Sequence, residues 1–310
     1  MTNQLAVRAE ILKLARLLRR DPEGLQYLEQ VPADDVRKLR EQVTELLFTA
    51  QGSALSRLAA ASKLLPIRVV ATIGERAFGP VLAARISGML DPGRAVEMAN
   101  TMPIEFLADV AVELDPRRAS DVIARIPPDR IALVTRELIR REEYVTMGRF
   151  VGHLPDASVR AAFDVLDDVA LLRVAFVLES KDTLDHLVSL LPKARRESIV
   201  DVAAREQMWI EVLDLLTHLG EATRAEFTEL GALDHAGVIE AIFTAAVEND
   251  LWSELLPLVP ELPLEGQARL AQAAAKLQPA QREAIMDSMR AANMKPQLER
   301  FEQVLAAKPA

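Results

Sequence analysis

Residues 91–114, "DPGRAVEMANTMPIEFLADVAVEL", align without a gap on residues 115–138, "DPRRASDVIARIPPDRIALVTREL", and nine of the 24 positions are identical. Such a period constrains architecture more than any single motif, because each copy must bury its apolar residues against the next one. The period extends backwards: "PVLAARISGMLD" (80–91) falls on "IEFLADVAVELD" (104–115) and on "PDRIALVTRELI" (128–139) at the same offset. Asp91 and Asp115 are placed as N-caps, with Pro92 and Pro116 at the first helical position, where a missing N–H costs nothing. A second proline, Pro103 or Pro127, follows eleven residues later, where it ends one helix and starts the next. Each unit therefore predicts two short helices.

Composition agrees with that reading. Half of the 310 residues are apolar but only 4% are aromatic, which suits helices packed through aliphatic side chains and leaves a β-sandwich or barrel little to build with. The expected class is all-α, an α-solenoid of short helix pairs wound into a superhelix. Beyond residue 140 the units lengthen. "MWIEVLDLLTHL" (208–219) matches "LWSELLPLVPEL" (251–262) and, at an offset of 25, "TLDHLVSLLPKA" (183–194), where Leu184 replaces Trp209. A position that accepts Trp209, Trp252 or Leu184 asks for a large apolar group, so both tryptophans are read as core residues of repeated helices. Trp209, Val212, Leu213 and Leu216 recur at three and four, the stripe of an amphipathic helix. Further breaks stand at "HLPDAS" (153–158), "LLPKARR" (190–196), "LGEATR" (219–224), "LVPELPLEG" (258–266) and "LQPAQR" (277–282). The expected organisation is a helical cap or arm over 1–52, regular 24-residue repeats over 53–140, and longer repeats continuing the superhelix over 141–305. Gly52 is the expected hinge and "AAKPA" a frayed end.

The "DPxRA" and "xLPxxxxxxL" rhythm, clearest over residues 80–140 and weaker to about 280, resembles the repeats of the intracellular N-terminal domain of MgtE-type magnesium transporters. That domain belongs with the armadillo-like modules of the flagellar rotor protein FliG. The resemblance implies a right-handed α-superhelix. No paired CBS module or transmembrane block occurs within these residues, so no ion-binding carboxylate is carried over.

The chemistry looked for is absent from the sequence pattern. With no cysteine there is no disulfide, thiolate metal site or cysteine nucleophile, which fits a reducing compartment. "MTNQLAVRAEILKLARLLRRDPEG" mixes charges among its leucines and lacks the apolar stretch of a signal peptide; the expectation is a cytoplasmic protein, with membrane association left open. The longest uncharged stretch, Leu46 to Ser56, has 11 residues, far short of the roughly 20 that cross a bilayer. His153, His186, His218 and His235 match no zinc spacing, and there is no P-loop, GxSxG or GxGxxG. Acidic pairs at 34–35, 167–168 and 142–143 read as exposed corners of helical hairpins. No metal, cofactor or catalytic residue is predicted, and a net charge of -9 argues against nucleic acid.

One segment departs from that balance. Residues 53–90 hold Arg57, Lys63, Arg68, Arg76 and Arg85 against Glu75 alone, with Gly74, Gly79 and Gly88 between them. Three readings stay open: a tightly packed helix pair whose arginines meet acids of the next unit, a cationic face for a partner or for anionic lipid at a membrane, and the wall of an apolar groove. The expected function is non-catalytic: a scaffold or regulatory module binding a protein partner on its concave surface through Arg68, Arg76, Arg85, Arg94 and Arg118. The alternative is a carrier of a hydrophobic small molecule lined by Phe78, Met89, Met98 and Phe106.

Overall fold

The computed structural model describes residues 4–49, 55, 59–60, 64–234, 238–249 and 251–306. Gly52, Arg57, Lys63, His235 and residues 307–310 lie outside them. Every regular element among the described residues is helical. The chain divides into two compact units, one formed by Glu10–Leu28 with Asp34–Thr183, the other by Met1–Ala9, Glu29–Ala33 and Leu184–Ala310. Residues 141–183, whose punctuation groups them with the longer repeats, thus belong with the regular ones, and residues 1–52 are divided between the two units.

The first unit contains helix α1 (Gln4–Leu18) from Glu10 onward, then α2 (Ala33–Thr49), α3 (Ile67–Ile73), α4 (Gly79–Ser87), α5 (Pro92–Thr101), α6 (Ile104–Glu113), α7 (Ser120–Ile123), α8 (Pro128–Arg140), α9 (Tyr144–Phe150), α10 (Asp156–Phe163) and α11 (Asp168–Phe176). The punctuation acts as its chemistry dictates. Asp91 Oδ1 accepts the Arg94 amide at 3.2 Å, with Pro92 at the first position of α5. Asp115 accepts the Arg117 amide at 3.2 Å, but it opens a 3-10 turn, Pro116–Arg118, before the single turn of α7. The Asp115 carboxylate also holds the guanidinium of Arg117, which accompanies this tighter start. Pro66, Pro103, Pro127 and Pro155 each stand immediately before a helix in extended backbone, where the fixed φ suits the entry.

Packing follows an alternating order. Helix α4 packs on α6, α6 on α8 and α8 on α10, while α3 packs on α5 and α5 on α7. Positions 24 apart are buried alike: Ala84 and Ala108, Ile86 and Val110, Ala95 and Ala119, Met98 and Val122. Arg130 on α8 reaches back to donate to the Ala99 carbonyl at 2.8 Å and also to that of Met102, satisfying carbonyls at the end of α5.

The second unit holds α12 (Leu184–Ser189), α13 (Lys193–Arg205), α14 (Trp209–His218), α15 (Glu221–Asp234), α16 (Val238–Glu248), α17 (Trp252–Leu255), α18 (Leu264–Ala275), α19 (Pro279–Ala291) and α20 (Lys295–Ala306). Again the partners alternate: α14 on α16, α16 on α18, α18 on α20, with α13 on α15 and α17 on α19. Leu184, Trp209 and Trp252 are each the first residue of a helix, and Trp252 meets the ring of buried Phe243 edge-on at 5.2 Å. The joints leading into α14 and α20 are closed by left-handed residues, Gln207 and Asn293, both with φ of 56°. Met208 then donates to the Ala203 carbonyl and Met294 to that of Met289, each at 3.0 Å, which are the six-to-one bonds of a Schellman turn. Leu251, closing on Ala246 at 2.8 Å, falls midway between them, so Met208, Leu251 and Met294 recur every 43 residues and all three are buried. Ion pairs reinforce this order: Arg196 of α13 meets Glu226 of α15 at 2.7 Å, and Arg224 of α15 meets Glu261 of the 3-10 helix Leu256–Glu261 at 2.6 Å.

Candidate functional site

The densest group of charges within one unit starts on α1. That helix is apolar on most of its surface, yet Glu10 and Lys13 sit one turn apart within its buried part, their side chains each only 2% exposed. Burial of a charge is tolerated only where it is paired and hydrogen-bonded, and both conditions are met here. Lys13 Nζ lies 2.9 Å from Glu10 Oε1 and donates to the Leu178 carbonyl at 3.0 Å. From α2, Arg40 donates Nε to Glu10 Oε2 at 3.1 Å and Nη2 to Glu179 Oε1 at 2.6 Å, while Glu179 Oε2 is 3.9 Å from Lys13 Nζ. Burial pushes the Glu179 carboxyl up, but Arg40 and Lys13 outweigh it and hold Glu179 below the usual carboxylate range. Burial likewise lowers Arg40, and the carboxylates of Glu179 and Glu10 raise it above its ordinary value.

Helix α2 also lines an open groove of about 510 Å³, with Lys38, Glu41, Gln42 and Glu45 on one side and Asp115, Arg117 and Arg118 of the turn before α7 on the other. Arg117 spans it, 3.2 Å from Asp115 and 3.4 Å from Glu41, and Arg118 pairs with Glu45. Beside it, α9 presents Arg149, which donates to the Leu114 carbonyl at 2.9 Å. The crossing is close: the Glu179 amide donates to the Gly148 carbonyl, and a Cβ on Gly148 would stand 2.7 Å from the Val177 carbonyl oxygen. Only glycine lets the two backbones approach so far. Burial pushes Arg149 below its ordinary value, with Asp115 and Glu179 partly compensating. His153, one turn further on, is also lowered chiefly by burial.

The sequence-predicted contact residues are not gathered into one place. Arg68 and Arg76 are exposed and Arg85 is half-buried. Arg94 donates to the Leu65 carbonyl, and Arg118 is held by Glu45 and Asp115. Around Arg68 the apolar side chains of Leu64, Leu65 and Val69 are exposed, Leu64 by 86%. Phe78, Met89, Met98 and Phe106 do come together, as parts of one packed core with Leu90, Ala95 and Val110. The Glu10, Lys13, Arg40 and Glu179 network carries no motif; Glu10 and Lys13 are two of four charged residues in the leucine-rich stretch "LAVRAEILKLARLL", and no local pattern sets them apart from Arg8 and Arg16.

His153, His186 and His218 fall on three separate elements. Among the described residues, no group of three or more His, Asp or Glu side chains is close enough to hold a metal ion, and no helix is long and apolar enough to cross a membrane. No family model, no curated protein and no solved structure matches the chain.

Proposed function

We propose that the chain is a non-catalytic helical-repeat protein, an α-solenoid that docks a protein partner on the surface of its stacked helices. One observation carries the reading: in each unit a helix packs on the second one along, and positions 24 residues apart share their burial. Stacked supersecondary units bury a continuous core this way and leave extended surfaces free for recognition. The 43-residue recurrence of Met208, Leu251 and Met294 lies within the 40–47 residues of armadillo-type units. The 24-residue period is the one on which residues 80–140 resemble the superhelical domain of magnesium transporters. The proposed docking face is α3 with the residues on either side of it, where Arg68 and Val69 of the helix, Leu64 and Leu65 before it and Arg76 in the π-helical turn after it (Gly74–Phe78) stand exposed. A cationic, partly apolar surface on a chain of net charge -9 fits an acidic partner.

The test is charge reversal. Wild type and the Arg68→Glu/Arg76→Glu double variant, matched in thermal stability, are used to retain proteins from the native host. A stoichiometric polypeptide held by the wild type and lost from the variant is the expected result. Equal retention by both, or none by either, removes α3 as the docking face.

A further inference from the structure

Helix α3, "IRVVATI", is apolar on more than one side, and the fold covers one of them. Ile67, Val70 and Ala71, at the spacing of a single helical face, turn to the core that holds Met98, Met102 and Phe106, and Gly74 continues that face against Met102. Arg68, Val69 and Thr72 form a second face at the same spacing, and all three are exposed, as are Leu64 and Leu65 before the helix and Arg76 after it. A helix apolar on several sides is ordinarily covered on each. The packing order says what the second face lacks. Helix α5 lies between α3 and α7, α6 between α4 and α8, and α8 between α6 and α10. Helix α3 heads its row, and among the described residues the helix it packs against is α5. Arg68 and Arg76 have no ion-pair partner among the described residues, and Glu75 is the one acid between them.

We propose that the open face of α3 takes an acidic amphipathic α-helix of the partner protein, laid along α3 as one more member of its row. This rests on α3 being the docking face and adds what docks there. The row selects the shape, because its other places are filled by helices, and helix on helix is a common mode of recognition. Leu64, Leu65 and Val69 take the apolar stripe of the incoming helix. Arg68 and Arg76 set its charges: eight residues apart, they stand about 12 Å from one another along the axis, so acids two turns apart on the partner, at i and i+7 or i+8, meet both.

The test uses a designed, dye-labelled peptide of about three heptads, with leucines along one helical face and glutamates seven residues apart beside them, and reads its binding to the full chain by fluorescence anisotropy. The expected result is saturable binding to the wild type and about tenfold weaker binding to the Arg68→Glu/Arg76→Glu variant, restored in that variant by a peptide with lysine in place of each glutamate. The restoration also shows that the variant is folded. The same peptide with two central residues changed to proline cannot form the helix and should not bind the wild type. Equal binding of the proline peptide overturns the helical occupant and leaves α3 a docking face for an extended acidic segment. Binding to phosphatidylglycerol vesicles with none to the helical peptide overturns the proposal in favour of a membrane surface. Binding to neither also overturns it, while retention of a host protein by the wild type but not the variant still decides separately whether α3 is a docking face.

Discussion

In the unit running from Asp34 to Thr183, helices are opened by residues whose chemistry the geometry requires: Asp91 and Asp115 cap, and Pro103, Pro127 and Pro155 fix the entering backbone. From Leu184 onward, Pro192 and Pro263 act in the same way, but two joints use a left-handed residue, Gln207 or Asn293, followed by a buried methionine, a device the first unit uses at Glu142, after which the Glu143 amide donates to the Leu138 carbonyl at 2.9 Å. Alternating helix packing is reached in both. Side-chain punctuation is specific but exposed to single substitutions, whereas the left-handed joint tolerates many residues at a standing cost in backbone strain of roughly 1 kcal/mol.

The largest effect should separate the first unit from the second. Replacing Glu10 with Ala leaves Lys13 and Arg40 buried without their shared carboxylate, and a loss of about 3–5 kcal/mol is expected in urea denaturation. Asp91→Ala, which removes only a cap from α5, should cost about 1 kcal/mol by the same measurement.

Acidification should act on the first unit as well. Glu179 is held below the usual carboxylate range, so its stabilising contribution is present above the unfolded value near 4.3 and is lost as pH falls through the folded one. His153 is likewise depressed; below about pH 6.5 the unfolded chain takes up its proton first, and stability falls. Denaturation midpoints measured from pH 7.5 down to 5.5 should decline, and less steeply in His153→Gln. The smallest effect has the opposite sign: Gln207→Gly should stabilise by about 0.5–1 kcal/mol and Asn293→Gly by less, because asparagine already tolerates the left-handed region. A loss of stability in both would show that the joints are not under strain.

These differences explain what was legible in the sequence. Asp91, Pro92 and Pro103 could be read because capping and a fixed φ leave few residue types eligible. The joints at Gln207 and Asn293 could not, since a turn usually marked by glycine is here made by residues with no local signal, and only the buried Met208, Leu251 and Met294 betray the period. The split of the helix after Asp115 was hidden too, because it goes with the tertiary pairing of Arg117 and Arg118. Of the site, the exposed Arg68 and Arg76 were visible as a composition anomaly. The cluster around Glu10 and Arg149 was not, because its members come from residues 10 to 179 and share no motif.

The stacking itself is the central claim, and a chain without cysteine allows it to be measured directly. Ala83, Leu107 and Ile131 occupy equivalent positions 24 residues apart on α4, α6 and α8, which pack in succession. Double cysteine variants should be joined by a bis-maleimide of about 10 Å, the spacing of packed helices, at 83/107 and at 107/131 but not at 83/131. Linkage of 83 to 131 as readily as of either adjacent pair, or of neither adjacent pair, would contradict the stack.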